Sequence, residues 1–223
     1  MNESKKTALI VAYIAFSFLF FVAFVLLSLL VPTFTAFSGK HPYFMGFFKF
    51  AFLATAGELI SAKMATKKWS VPCYIFARWI IWGIIGIWIT YMMKIFGAGV
   101  ASLMEIHLLP TVENAFIKAL LRAFFISATM NLCFGPTFMA AHKCSDTYLS
   151  LCEKSKDVTL SEVIDAVDWK RFVSFTLFKT IPLFWIPAHT VTFLLPAQFQ
   201  VLLAALLSIA LGIILNIRKK GQK

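Results

Sequence analysis

The residues between Lys6 and Lys40 form a stretch of more than 30 residues that contains no charged side chain. Within this stretch, residues 8–31 are almost all apolar. A helix needs about 20 apolar residues to cross the hydrocarbon core of a bilayer. The run is too long for the apolar segment of a cleaved signal peptide, and no clear small-x-small cleavage site follows it. The sequence therefore predicts a membrane protein.

The overall composition agrees with this prediction. Hydrophobic residues make up 60% of the chain and charged residues only 14%, which is typical of a membrane bundle and not of a water-soluble domain. A formal net charge of +11 would suggest nucleic acid as the partner of a soluble protein. Here the basic residues fall mostly in short connections between apolar runs. We therefore expect anionic lipid headgroups on the inner side as the partner, and no nucleic acid.

The distribution of apolar runs predicts an all-α fold, a polytopic membrane bundle of about six transmembrane helices with short interfacial helices. No linker or shift in composition divides the chain, so residues 1–223 are predicted to form a single integral membrane domain. The six predicted spans are residues 8–31, 43–61, 79–100, 123–141, 172–195 and 201–217.

The basic residues alternate between the two sides of these spans. If the N-terminus lies inside, fifteen of the 21 Lys and Arg residues also lie inside: Lys5, Lys6, Lys63, Lys67, Lys68, Arg78, Lys143, Lys154, Lys156, Lys170, Arg171, Arg218, Lys219, Lys220 and Lys223. Those left outside are Lys40, Lys94, Lys118 and Arg122. Cytoplasmic connections carry an excess of Lys and Arg. Both termini are therefore predicted to face the cytosol.

Two connections have the sequence pattern of short helices. Thr159 and Glu162 have the spacing of a capping box. Apolar residues then recur at helical spacing opposite acidic ones, which predicts an amphipathic helix on the inner surface before the fifth span. A second helix is predicted to begin at Pro110–Thr111, near the outer interface.

Small residues predict close helix packing in two spans. In the sixth span, Ala204, Ser208 and Gly212 recur at every fourth position, which lets another helix approach closely. Gly83 and Gly86 are expected to have the same role in the third span.

Ionisable residues within spans are costly and mark a site or its partner. Glu58 is the one acidic residue within the predicted spans, and its expected partner is Lys179 or Arg78. Lys49 is nine residues from Glu58, about half a helical rotation away, so the two cannot pair. The pair formed by Glu58 is either a structural clamp or part of a gate or solute site, and both alternatives stay open.

The fifth span combines two prolines with polar side chains. Pro182 and Pro187 are predicted to break the helix and to leave the carbonyls of Phe178 and Leu183 without partners. Pro136 predicts a milder break in the fourth span. Two interpretations stay open: kinks that shape the packing, or a solute path beside broken helices. The polar residues that would line the path are Asn131, Lys179 and His189.

The sequence contains no signature of an enzyme. There is no set of histidine, carboxylate and nucleophile, no GxSxG elbow, no P-loop and no dinucleotide fingerprint. His142, Cys144 and Cys152 match no zinc spacing. We therefore expect no catalytic residues, no metal and no cofactor.

Four segments have the order of motifs found in a known family. The first is residues 57–61, Gly-Glu-Leu-Ile-Ser, beside the family's Gly-Asp-x-Ile-x-Gln. The others are Arg78 with Gly83 and Gly86, residues 131–138, and Trp185-x-Pro187 through Pro196. On these residues the chain resembles the Mpv-seventeen and peroxisomal-membrane-protein (Mpv/PMP) family of small helical membrane proteins.

The resemblance covers about residues 48–216 and leaves the span at residues 8–31 as an extra. It is not exact, because Met130 stands where the family has Asp, Ile87 where it has Pro, and Gln200 where it has Arg. The chain resembles a divergent bacterial member, with the bacterial cytoplasmic (inner) membrane as the expected location and an organelle membrane as the alternative.

The resemblance implies a channel-like or membrane-homeostasis protein. A second copy of the chain, in a homo-oligomer, is included among the expected partners. The favoured hypothesis from the sequence is a small channel or transporter-like protein for small solutes or anions. Its polar residues would be Glu58, Arg78, Asn131, Lys179 and His189. The alternative is a non-conducting membrane scaffold or assembly factor, in which the same residues are paired and dry.

Overall fold

The described part of the chain consists of helices joined by short connections. This structure is a computed structural model, and it describes residues 3–155 and 157–220. Lys156 and Lys223 of the predicted inner basic set lie outside those ranges. The all-α class is confirmed. The helices are α1 Glu3–Leu30, α2 Pro32–Lys40, α3 Pro42–Thr66, α4 Ile75–Glu105, α5 Ala115–Cys133, α6 Gly135–Cys152, α7 Leu160–Ala166, α8 Trp169–Arg171, the π-helical segment Phe172–Trp185, α9 Ile186–Leu194 and α10 Ala197–Lys220.

Five of these helices are long and apolar enough to span a membrane. They are α1, α3, α4, α5 and α10, judged by length and composition. Four of them correspond to the first, second, third and sixth predicted spans. The fourth and fifth predicted spans differ from the observed helices.

The boundaries predicted for the fourth span were wrong. The helix that can cross a membrane is Ala115–Cys133, whereas the prediction of residues 123–141 runs across the junction between α5 and α6. Asn114 sets the start, because its side-chain oxygen accepts the amide of Ile117 at 3.1 Å. The predicted start at Pro110–Thr111 was therefore four residues early. The helix ends before Pro136, which is the second residue of α6.

The fifth predicted span consists of two helical types. The π-helical segment covers Phe172–Trp185, and α9 continues directly from Ile186. In a π-helix, each amide bonds the carbonyl five residues earlier. In this geometry Pro182 lacks the amide that would bond the carbonyl of Leu177, whereas the sequence analysis, which assumed α-helical bonding, named Phe178. Pro187 stands in the first turn of α9, where proline is tolerated.

The chain forms two compact units, and the division falls within α4, between Tyr91 and Met92. A single domain over residues 1–223 stays a prediction. In the first unit, α3 packs against α1 and α10. A Cβ on Gly212 would lie 2.5 Å from the Ser61 hydroxyl, which is the close approach predicted for the small residues of the last span. A Cβ on Gly86 would overlap the carbonyl of Gly46, so α3 and α4 also meet closely.

The second unit comprises residues 92–195. In this unit α5 packs against α9 and α6, and α7 packs against α6. The predicted capping box is confirmed: the Thr159 hydroxyl accepts the amide of Glu162, and the Glu162 carboxylate accepts the amide of Thr159. The amide and hydroxyl of Thr159 lower the pKa of the Glu162 carboxyl. Val163 of α7 is buried, whereas Leu160 and Ile164 are exposed.

Candidate functional site

The Glu58 carboxylate forms the centre of a polar cluster in the first unit. The Arg78 guanidinium donates Nη1–H to Oε1 at 2.5 Å, and the Trp82 indole donates Nε1–H to Oε2 at 3.2 Å. Both carboxylate oxygens therefore have a donor. The side chain of Arg78 is 9% exposed and that of Glu58 is 23% exposed. Such charge-assisted hydrogen bonds are stronger than neutral ones and hold α3 against α4.

The connection between α3 and α4 brings Arg78 to Glu58. The chain leaves α3 at Lys67, which has a left-handed φ of 61°, and turns again at Tyr74, with a φ of 57°. Arg78 then lies in the first turn of α4, and its Nε donates to the Cys73 carbonyl at 3.2 Å. The backbone of the connection thus orients the guanidinium. Of the two partners that the sequence proposed for Glu58, the structure shows Arg78.

Lys49 has a structural contact that the sequence analysis did not assign. Its side chain is buried, its amine donates to the carbonyl of Gln198 at 3.0 Å, and it lies 4.1 Å from the ring centre of Phe24. The amine therefore links α3 to the first turn of α10 and to α1. A carbonyl and an aromatic face stabilise the cation in place of a carboxylate. The sequence showed a single lysine within an apolar run, but it did not indicate which residue this lysine contacts.

Asn131 and His189 form a second polar cluster, in the second unit. The Asn131 amide donates to the Ser127 carbonyl at 2.8 Å and lies 3.0 Å from Nδ1 of His189. If the Asn131 amide donates to Nδ1, His189 is the tautomer that carries its proton on Nε2. The other tautomer donates from Nδ1 to Oδ1 of Asn131, at 3.3 Å. Both side chains are buried, and the ring of Trp185 lies 5.1 Å from that of His189.

Hydroxyl groups satisfy the backbone where the π-helical segment joins α9. The carbonyl of Ile186 accepts the Ser127 hydroxyl at 2.7 Å and the Thr190 hydroxyl at 2.8 Å. Ser127 thereby joins α5 to the first residue of α9. Because hydrocarbon provides no hydrogen-bond partners, irregular backbone in a membrane needs such internal donors.

Lys179 does not belong to the Asn131–His189 cluster. It is exposed on the π-helical segment, and its amine makes no hydrogen bond or ion pair with any residue of the described ranges. The three residues predicted to line one path thus separate into a buried, bonded pair and an exposed lysine. Glu58 and Arg78 form a cluster of their own in the other unit.

The described residues also contain no group of three or more His, Cys, Asp or Glu side chains placed to hold a metal ion. The His142 imidazole instead lies 3.7 Å from the carboxylate of Asp146, one turn further along α6. The arrangement is a helical side-chain pair.

Comparison of the chain with family models, with curated proteins and with solved structures gives no match.

Removal of the Glu58 charge should destabilise the first unit. In Glu58→Gln, the Arg78 guanidinium loses a charged acceptor, and we expect the free energy of unfolding to fall by roughly 2 kcal/mol. Thermal unfolding in detergent, followed by circular dichroism, measures this change. Glu105→Gln is the matched control, because Glu105 is exposed at the end of α4.

A double charge reversal tests whether the effect belongs to the pair. Glu58→Arg and Arg78→Glu should each destabilise the protein, and the double variant should recover part of the loss. Equal stability of Glu58→Gln and wild type would contradict the clamp, as would a double variant no more stable than either single one.

The hydrogen bond between Asn131 and His189 should stabilise the packing of α5 against α9 and should not line a pore. Asn131→Leu leaves Nδ1 of His189 buried without a partner, and we expect a loss of about 1–3 kcal/mol in unfolding free energy. The double variant Asn131→Leu/His189→Phe should recover much of that loss, because no unpaired polar group then stays buried.

Thr129→Val is the control for this pair, since Thr129 is exposed on the same helix and bonds only its own backbone, at Phe125. Unfolding curves of wild type, Asn131→Leu, His189→Phe and the double variant give the coupling energy. Additive losses in the double variant would show that the two side chains do not act together.

Proposed function

We propose that the chain is a multi-pass integral membrane protein with six spans and with both termini on the cytosolic side. The sixth span, beyond the five long apolar helices, is the π-helical segment with α9. These two pieces are 14 and 9 residues long and follow one another without a break. The orientation rests on the alternating Lys and Arg residues of the connections.

The proposal includes membership of the Mpv/PMP family as a divergent bacterial member, located in the cytoplasmic membrane. Support comes from the order of the four motifs. Two of the resembling segments also contribute to the clusters: Glu58 and Arg78 bond each other, and Asn131 bonds His189 beside Trp185. An organelle membrane is the alternative location.

As its function we propose a non-conducting scaffold that organises the membrane or an assembly within it. The observation that carries the proposal is the pairing of polar groups in the helices. The Glu58 carboxylate, the Lys49 amine and the Asn131 amide all have internal partners. Polar groups that line a conducting path need access to water or to a solute, whereas these groups hold one helix to another.

A second candidate function is a small anion-selective channel. Lys179 favours it, because an exposed amine on a π-helical segment is a polar group in a membrane span without a bond to any described residue. π-helical geometry is frequent at functional sites. A homo-oligomer that gathers several copies of Lys179 around one axis would select anions, as rings of basic side chains do.

The proposed topology predicts the accessibility of four positions. Single cysteines replace Lys40, Lys67, Lys154 and Lys220 in a chain whose native cysteines at 73, 133, 144 and 152 are serine. A membrane-impermeant thiol reagent applied to intact cells should label position 40 and leave the other three unlabelled until the membrane is opened. Labelling of position 154 from outside would contradict the orientation.

Reconstitution separates the scaffold from the channel. Purified protein in planar bilayers should give no conductance above that of empty bilayers, because the buried side chains of Lys49, Asn131 and His189 have partners within the protein. The same preparation in liposomes should release no chloride or small organic anions. The matched variants are Lys179→Gln and Lys94→Gln, two exposed lysines of different helices.

An anion conductance that falls in Lys179→Gln and persists in Lys94→Gln would overturn the scaffold proposal. The channel would then take its place, with Lys179 as the residue that selects the ion.

A further inference from the structure

Exposed apolar residues and a tryptophan, between α7 and the π-helical segment, indicate where this part of the chain would lie relative to a membrane surface. Leu160 and Ile164 of α7 are apolar and exposed, at 71% and 44%. The indole of Trp169 donates to the Ile164 carbonyl at 2.8 Å and is held beside this apolar edge. Tryptophan prefers the interface between headgroups and hydrocarbon. The chain therefore enters the membrane at Trp169, with α7 lying along the surface.

Three exposed cationic side chains follow this entry point along the chain. They are Lys170, Arg171 and Lys179, and none of the three side chains has a bonding partner among the residues described. A helix with bonds over five residues has about four to five residues in each turn. Lys170, Ser174 and Lys179 are spaced four and five apart, so they fall on the same face, and Ser174 is also exposed.

Helix geometry allows the Lys179 amine to reach back towards the level of Lys170 and Arg171. In a helix the Cα–Cβ bonds tilt towards the N-terminus, which here is the end at Trp169. Lys179 follows Arg171 by eight residues, a distance along the axis of at most about 12 Å. Its apolar stem can lie along the helix while the amine reaches back towards the headgroup level.

Among the residues described, no ion pair joins the three cations to the carboxylates of Glu162, Asp165 or Asp168. The carboxylate of Asp168 accepts the backbone amide of Arg171 at 2.9 Å, and that of Glu162 accepts the amide and hydroxyl of Thr159. Asp165 is exposed on α7. The exposed face formed by Lys170, Arg171, Ser174 and Lys179 therefore offers three cations without an ion-pair partner among the described residues, and a hydroxyl donor.

We propose that this face, called here the basic entry face, binds the phosphate of an anionic phospholipid in the inner leaflet. The inference rests on the proposed orientation, in which the N-terminal end of the π-helical segment lies inside. Lys170 and Arg171 approach the phosphate from the aqueous side, and the Lys179 amine approaches it from the hydrocarbon side. Ser174 donates a hydrogen bond between them. A lipid fits this geometry because its acyl chains can lie against the exposed apolar residues Phe178 and Leu183.

Native mass spectrometry of the intact protein in a neutral detergent tests the site. Phosphatidylglycerol and phosphatidylcholine with the same acyl chains are titrated separately, and inorganic phosphate is added in a third arm. Wild type should retain phosphatidylglycerol more tightly than phosphatidylcholine. Lys179→Gln and Arg171→Gln should each weaken the binding of phosphatidylglycerol about fivefold, as expected for one cation near an anionic surface.

Lys94→Gln is the matched control, since Lys94 is an exposed lysine of α4 and lies on the outer side in the proposed topology. It should bind phosphatidylglycerol as wild type does. Helix content and elution volume establish that each variant is folded. Ser174→Ala, which leaves the charge unchanged, should weaken binding by less than either cation variant.

Unchanged binding of phosphatidylglycerol in folded Lys179→Gln would overturn the proposal. Saturation of the same residues by inorganic phosphate, with loss of lipid binding, would also overturn it and assign the face to a free anion. These outcomes are independent of the scaffold, which the conductance of the bilayers tests, and of the orientation, which the labelling of position 154 tests.

Discussion

In the hydrocarbon of a membrane, water is absent as a hydrogen-bond partner, and every polar group must be satisfied by the protein itself. The five apolar helices are long enough for this constraint to apply, and the polar residues Glu58 and Lys49 within them have bonding partners. The Glu58 carboxylate receives one donor on each oxygen, and the Lys49 amine lies between a carbonyl and an aromatic ring. Each of these groups of bonds joins different helices, so the same contacts that satisfy the polar side chains also hold the helices together.

The π-helical segment shows the same constraint acting on the backbone. Pro182 provides no amide, yet the chain continues as a helix through it, and the transition to α geometry falls at Ile186. The carbonyl of Ile186 receives two hydroxyl donors, from Ser127 and Thr190. The buried polar residues of α5 and α9 therefore stabilise a change of helix type. This role favours a structural function for Asn131 and His189, which belong to the same two helices.

Local signals were predicted well because their causes lie within a few residues. The capping box at Thr159 and Glu162 involves two positions one turn apart, and both of its bonds form. The break before Pro136 has a similar local cause. The start of α5 was missed because Pro110 and Asn114 are both acceptable helix beginnings, and the choice depends on which residue bonds the first amides. The π geometry was missed because residue spacing does not reveal whether bonds span four residues or five.

The amino-acid sequence was sufficient for the class of the protein, the approximate position of most long helices and the requirement that Glu58 have a basic partner. Those properties follow from apolar length and from the cost of an unpaired charge, and both can be read along the chain. The tertiary structure decided that the partner is Arg78, that Lys49 contacts Gln198 and Phe24, and that Lys179 is exposed while Asn131 and His189 are buried. These contacts depend on how helices distant in the chain rotate against one another, because only one side of each helix can face its neighbour.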